Sequence, residues 1–168
     1  MSRYRKIEVR TWSDEKFRSL SPMQPSGQAL WFFLLTGPHT GPVPGLFRAG
    51  PAAMAEELGW PVEAFLEAFR EVSDKGMAEA DFEARLVWLP NAIRHNKPES
   101  PNVVRSWRAE IDMLPECDLK KRAIEAIREY LAELGTPYLS AFCDIFEPSP
   151  KASAKPSGKP SAKAMPNQ

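Results

Sequence analysis

The sequence has few of the residues that build metal, disulfide or catalytic centres. It contains two cysteines, Cys117 and Cys143, and two histidines, His39 and His95, and none of them is at ligand spacing from another. Unpaired thiols in a reducing compartment are the simplest interpretation of this composition. The composition therefore predicts no metal site and no cofactor.

The motifs of common enzyme classes are also absent from the sequence. It has no G-x-x-x-x-G-K-[ST], no G-x-S-x-G, no H-E-x-x-H and no paired C-x-x-C. His95 lies in the basic run Arg94–Lys97 without the partner that a catalytic base needs. We therefore expect a protein that is not an enzyme and has no catalytic residues.

No run of about 18 apolar residues occurs, so the sequence predicts no membrane-spanning helix. The first residues, Met-Ser-Arg-Tyr-Arg-Lys, lack the apolar stretch of a secretory signal. These two absences lead us to expect a cytoplasmic protein.

Charge is balanced over the whole chain but unevenly distributed along it. The formal net charge is zero. Residues 1–18 carry +3, residues 51–84 carry −7, and residues 85–108 carry +4. A near-neutral isoelectric point therefore conceals two basic segments and one acidic segment.

The stretch from Gly50 to Pro90 organises the predicted fold. It begins with a helix that has Pro51 at its first position, breaks at residues 59–61, and continues as a second helix ended by Gly76. The apolar face of the second helix consists of Val62, Phe65, Leu66, Phe69 and Val72.

A β-hairpin is predicted directly after these helices. Two short runs, Met77–Phe82 and Arg85–Leu89, flank the pair Glu83-Ala84. Gly45–Arg48 is a candidate third strand beside them. Two helices joined by a tight turn and followed by a hairpin indicate a winged helix-turn-helix fold of the α+β class.

Periodicity and helix-start signals predict the remaining elements. They are an edge strand at Lys6–Trp12, a core helix capped by Ser26, a helix from Ser100 stopped by Pro115, a helix capped by Asp118 and ending at Leu134, and a last helix opening at Thr136. We therefore expect a winged-helix domain at residues 3–98, a helical extension at 99–147 and a disordered Lys/Pro/Ser-rich tail or linker at 148–168.

The tail carries four lysines at a spacing of four residues. They are Lys151, Lys155, Lys159 and Lys163. With almost no apolar side chains, the segment cannot offset the entropy cost of an ordered backbone. It is either a linker, in which case the chain is a fragment of a longer protein, or a true C-terminal tail.

A winged helix makes nucleic acid the first partner to consider, but the second helix of this one is acidic. An acidic helix pressed between two rows of phosphates is repelled. The cations lie on the N-terminal arm, at the hairpin and after it: Arg3, Arg5, Lys6, Arg10, Arg85, Arg94, His95, Lys97, Arg105 and Arg108. If the N-terminal strand lies near the hairpin, they form one stripe that contacts DNA. The alternative is that they are ordinary solvated charges.

The acidic helix itself allows a second hypothesis. Glu63, Glu67, Glu71 and Asp74 lie on its outward side and suit a basic protein surface. The fold would then serve as a protein-interaction module or a transcriptional regulator without insertion into the major groove. The alternative here is a solvated helix face.

Four stretches of the chain resemble phage and prophage replication proteins. They are Tyr4–Phe17, Leu35–Thr40, Gly45–Gly50 and Leu89–Asn102, and the likeness extends over residues 3–115 and the Lys-Pro-Ser tail. Such proteins have an N-terminal winged-helix domain related in form to primosomal DnaD-type and phage replication-initiator domains. The resemblance supplies no agreed set of binding residues.

The resemblance implies binding to a replication origin or to single-stranded DNA, oligomerisation, and recruitment of a replicative helicase or its loader. Joined to the charge pattern, it predicts a non-enzymatic DNA-binding protein of phage-type replication. The expected partners are double- or single-stranded DNA, the helicase or loader, and a second copy of the chain, with no membrane.

Overall fold

The structure is a computed structural model that describes residues 6–147. Within that range the chain has an α+β fold with one 3-10 turn, nine α-helices and three β-strands. In chain order these are the 3-10 turn Val9–Ser13, α1 Glu15–Ser19, α2 Gly27–Thr36, β1 Leu46–Arg48, α3 Pro51–Leu58, α4 Val62–Asp74, β2 Glu79–Asp81, β3 Leu86–Trp88, α5 Ala92–His95, α6 Pro101–Ser106, α7 Arg108–Met113, α8 Asp118–Leu134 and α9 Thr136–Phe146. Arg3, Arg5 and the predicted disordered tail at 148–168 lie outside the described residues.

The three strands form one antiparallel sheet in the order β1-β3-β2. Leu46 and Glu79 stand on either side of Trp88 in the register of the sheet. The hairpin predicted between Met77 and Leu89 is therefore confirmed, as is the third strand predicted at Gly45–Arg48.

Both faces of this sheet are covered by helices. Side chains alternate along a strand, so Phe47 and Val87 point to one face and Leu46, Leu86 and Trp88 to the other. The first face joins a core cluster with α2, α3 and α4, and the second joins a cluster with α6, α7, α8 and α9. The sheet is thus the middle of three layers.

The two helices before the hairpin form where the sequence predicts them. α3 has Pro51 at its start and ends at Gly59, whose left-handed φ of 69° allows the chain to reverse. α4 is followed by Gly76, which has a φ of 70° as expected for its C-terminal position. α4 packs against both α2 and α3.

The core-facing side of α4 differs in part from the predicted one. Its buried residues are Phe65, Ala68, Phe69 and Val72. Val62 and Leu66 are each 36% exposed. The buried stripe therefore includes Ala68, and Val62 and Leu66 lie at its exposed margin.

α2 is confirmed as a core helix. Its Ser26 cap forms as predicted, because Ser26 Oγ accepts a hydrogen bond from Ala29 N at 3.1 Å. Leu30, Phe33 and Leu34 are buried, whereas Phe32 is 58% exposed. One side of this apolar helix therefore faces solvent.

The prediction of an edge strand at Lys6–Trp12 is wrong. Val9–Ser13 forms a 3-10 turn, and the alternating Ile7 and Val9 are 57% and 41% exposed. Only Trp12 is anchored: its Nε1 donates to Thr36 Oγ1 at 3.2 Å, and its ring meets Phe33 edge-on at 5.1 Å. A strand needs a neighbouring strand for its backbone hydrogen bonds, and this segment packs against a helix instead.

The C-terminal helices form with two local corrections. The predicted helix from Ser100 divides into α6 and α7 at Trp107, which is 1% exposed. The cap residue of α8 is Cys117, with Asp118 as the first helical residue. Asp118 still lies in the first turn, where a carboxylate complements the helix dipole.

None of the helices within residues 6–147 has the length and apolarity to cross a bilayer. The longest, α8, spans 17 residues and carries charged side chains along its exposed side.

We expect Leu86→Ala to lower the free energy of unfolding by about 2–5 kcal/mol, because Leu86 is fully buried under the C-terminal helices. The control Leu20→Ala, at a residue 65% exposed, should change it by about 0.5 kcal/mol or less. Urea unfolding followed by tryptophan fluorescence measures both. Equally small losses of unfolding free energy in the two variants would contradict the burial of Leu86 between the sheet and helices α6–α9.

Candidate nucleic-acid interface

The tip of the β2–β3 hairpin ends in an arginine with an unfavourable backbone conformation. β2 ends at Asp81, whose Oδ1 accepts a hydrogen bond from Ala84 N at 2.9 Å. Arg85 then adopts a φ of 59°, and within residues 6–147 it is the one non-glycine residue with a positive φ. That conformation costs an L-residue about 1–2 kcal/mol. Because strained backbone positions cluster at functional sites, Arg85 is a candidate functional residue.

A second arginine lies beside Arg85 on the neighbouring strand. Arg48 stands opposite Leu86, and Ala49 N donates to Arg85 O at 2.8 Å. The Arg85 side chain passes Gly50, since a Cβ on that glycine would lie 3.6 Å from Arg85 Cγ. Arg48 and Arg85 are exposed, and neither makes an ion pair within the part of the chain that the structure describes. Two free cations thus mark the end of the sheet where α3 begins.

Sequence reasoning selected Arg85 but missed Arg48. The signal was present, because Arg48 ends an apolar run that was predicted to pair with the hairpin. An arginine at the end of such a strand lies near the turn of its partner strand.

Four further predicted cations are exposed. Lys6 precedes the 3-10 turn, and Arg10 lies within it. His95 ends α5, and Lys97 follows it in the loop to α6. The N-terminal strand that would have carried Lys6 and Arg10 to the hairpin does not form, so the sheet does not join them to Arg85.

Three of the predicted cations bind the C-terminal part of the chain. Arg94 Nη1 lies 3.2 Å from Glu133 Oε2, with its guanidinium 5.0 Å from the centre of the Tyr130 ring. Arg105 Nε lies 3.1 Å from Asp144 Oδ2.

Arg108 completes this set, since its Nη2 donates to the backbone oxygen of Glu147. Each of the three arginines binds a residue 39 positions further along the chain. Moving three residues along the chain from Arg105 to Arg108 moves the partner three residues from Asp144 to Glu147, so α6–α7 and α9 run in the same direction. Exposed ion pairs of this kind contribute less than about 1 kcal/mol each, so the alignment depends mainly on the buried apolar residues that α6, α7 and α9 share.

α8 is also tied to the hairpin by an ion pair. Arg122 Nη2 lies 2.7 Å from Glu79 Oε2 on β2. The hydrogen bond and the charge of the Glu79 carboxylate raise the pKa of Arg122 above its ordinary value. This ion pair therefore links the edge strand β2 to α8.

The carboxylates predicted as a protein-binding face are exposed on α4. Glu63, Glu67 and Asp74 make no ion pair within residues 6–147. Glu71 lies over the first turn of α2, because a Cβ on Gly27 would lie 2.7 Å from Glu71 Cδ. A carboxylate at a helix N-terminus complements the helix dipole, so Glu71 has a role inside the fold.

No family model, no curated protein and no solved structure matches the chain. The interface is therefore described by its own geometry and charge. Its cationic part is the end of the sheet with Arg48 and Arg85, and its acidic part is the outer side of α4.

We expect Arg85→Gly to raise the free energy of unfolding by about 1 kcal/mol, because glycine adopts the left-handed conformation without a steric penalty. The matched change Arg48→Gly should lower it by up to about 1 kcal/mol, because glycine weakens an ordinary strand position. Urea unfolding measures the two signs. Destabilisation by both variants would show that Arg85 is not strained.

Proposed function

We propose that this chain is a non-enzymatic DNA-binding protein of phage-type replication, built on a winged helix-turn-helix domain. In this proposal α3 and α4 are the helix pair and the β2–β3 hairpin is the wing. The order helix, strand, helix, helix, strand, strand from α2 to β3 supports it. The resemblance to phage replication proteins supplies the biological setting.

The observation that carries the proposal is Arg85 at the hairpin tip. Its left-handed backbone makes the position costly for any residue with a side chain, and its guanidinium is exposed without an ion pair in the described residues. With Arg48 beside it, the tip offers two cations to the phosphate backbone. His95 and Lys97 are not part of this pair, because α5 lies at the other end of the sheet, where Leu89 N donates to Gly45 O.

The proposed contact with DNA does not use α4. A helix that enters the major groove lies between two rows of phosphates, and exposed Glu63 and Glu67 would face them. Repulsion between these carboxylates and the phosphates favours docking through the wing and its flanks. The proposed role in recruiting a replicative helicase or loader, and in self-association, rests on the resemblance alone.

A protein-interaction module is the second candidate function. It is favoured by the exposed carboxylates Glu63, Glu67 and Asp74, which have no ion-pair partner in the described part of the chain. In that case a basic protein surface takes the place of DNA, and the fold acts as an adaptor or a transcriptional regulator.

A salt titration of binding to single- and double-stranded DNA separates the two functions. We expect the logarithm of the affinity to fall against the logarithm of salt concentration with a slope of about −2 to −4, since each neutralised phosphate contributes about −0.9 on duplex DNA. Arg48→Gln combined with Arg85→Gln should make the slope shallower by about 2. The control Arg128→Gln, on α8, should leave it unchanged. Absence of binding at low salt would reject DNA binding and leave the second candidate.

The position of α4 relative to DNA has its own test. Glu63→Gln combined with Glu67→Gln should change duplex affinity by about twofold or less, because exposed charges beyond a Debye length are screened. Glu83→Gln, in the hairpin turn beside Arg85, should increase affinity several-fold by removing a nearby negative charge. A large gain from the α4 pair and none from Glu83→Gln would mean that α4 faces the phosphates.

A further inference from the structure

A groove of about 800 Å³ lies between the N-terminal segment and the end of α3, away from the hairpin. We call Trp12–Met23 the strap, because tryptophans anchor it at both ends. Trp12 packs on α2, and Trp60 Nε1 donates to Met23 O at 2.6 Å. The strap is thus held in place, and its middle part forms one wall of the groove.

The strap wall is apolar and uncovered. Phe17, Leu20 and Met23 line the groove and are 36%, 65% and 38% exposed. Three large apolar side chains on one short, anchored segment form a patch, whereas exposed apolar residues are normally scattered singly. This wall alone does not say what covers it.

The opposite wall identifies the chemistry of the occupant. It is the last turn of α3, with Glu56 and Glu57 beside Leu58. A helix C-terminus carries partial negative charge, so two glutamates there add to it, and this last turn has no basic residue to compensate. Arg18 also lines the groove but makes no ion pair with either glutamate in the structure.

We propose that this groove is a docking site for a partner protein's amphipathic helix, with apolar residues against Phe17, Leu20 and Met23 and a lysine or arginine against Glu56 and Glu57. The glutamates repel nucleic acid and anionic lipid. A basic amphipathic helix can contact both walls, because its apolar stripe packs on the strap while its neighbouring cations pair with the glutamates. The second copy of the chain is the competing occupant.

The test uses the full chain and a labelled helical peptide of about 16 residues, with leucine at i, i+3, i+4 and i+7 and lysine on both flanks. Fluorescence anisotropy should show saturable binding that weakens about tenfold in Glu56→Gln combined with Glu57→Gln, and no binding of the same peptide with glutamate in place of lysine. The matched control Glu99→Gln with Glu129→Gln removes equal charge from exposed positions before α6 and on α8, and it should bind as the unaltered protein does.

Two further measurements locate the peptide and test the electrostatic argument. The indole N–H signals of Trp12 and Trp60 in ¹⁵N–¹H spectra should shift on binding, while those of Trp88 and Trp107, in the other core, should not. The Glu56/Glu57 variant should unfold at a higher temperature than the unaltered protein, since it loses unfavourable charge at a helix C-terminus.

Three outcomes would overturn the proposal. One is an equal loss of peptide binding in the Glu56/Glu57 variant and in the Glu99/Glu129 control, and another is a shift of the Trp88 or Trp107 signals in place of those of Trp12 and Trp60. The third is a dimer of the free protein that Leu20→Ser converts to monomer, which would assign the groove to a second copy.

Discussion

Burial of β3 from both sides is the constraint on which the rest of the structure depends. Leu86, Val87 and Trp88 are consecutive and all buried. Consecutive strand residues point to opposite faces, so this run requires a layer of helices on each side of the sheet. α2–α4 provide one layer and α6–α9 the other. A hairpin covered in this way can present only its tip and its edge to a partner.

The helical layer formed by the C-terminal part of the chain also binds several of its basic residues. Arg94, Arg105 and Arg108 follow the hairpin in sequence, yet each binds a residue of α8, α9 or the end of α9. They are therefore part of the layer that covers the sheet. For the proposed contact with DNA, the cations that form no ion pair among residues 6–147 are the first candidates, and Arg48 is one of them although it stands alone in the sequence.

Local features were predictable from the sequence, whereas most contacts between distant segments were not; the pairing of Gly45–Arg48 with the hairpin is the exception. Ser26 and Gly76 act through backbone groups within a few residues, so their roles as helix cap and helix end follow from residue type. The alternation of apolar and polar residues at Lys6–Trp12 is typical of a strand, but it carries no information on whether a neighbouring strand exists. The segment packs on α2 instead. The partners of the three arginines lie 39 residues away, and nothing local to either end encodes that pairing.

The two proposed surfaces lie at opposite ends of α3, and its dipole matches both. Arg85 passes Gly50 at the N-terminal end, which is partially positive, and Glu56 and Glu57 occupy the partially negative C-terminal turn. An eight-residue helix is about 12 Å long, which exceeds the Debye length of about 8 Å at physiological salt. A polyanion at one end and a cationic helix at the other would then bind almost independently in the cell. At low salt the same distance lets opposite charges attract across α3, so each partner would favour the binding of the other.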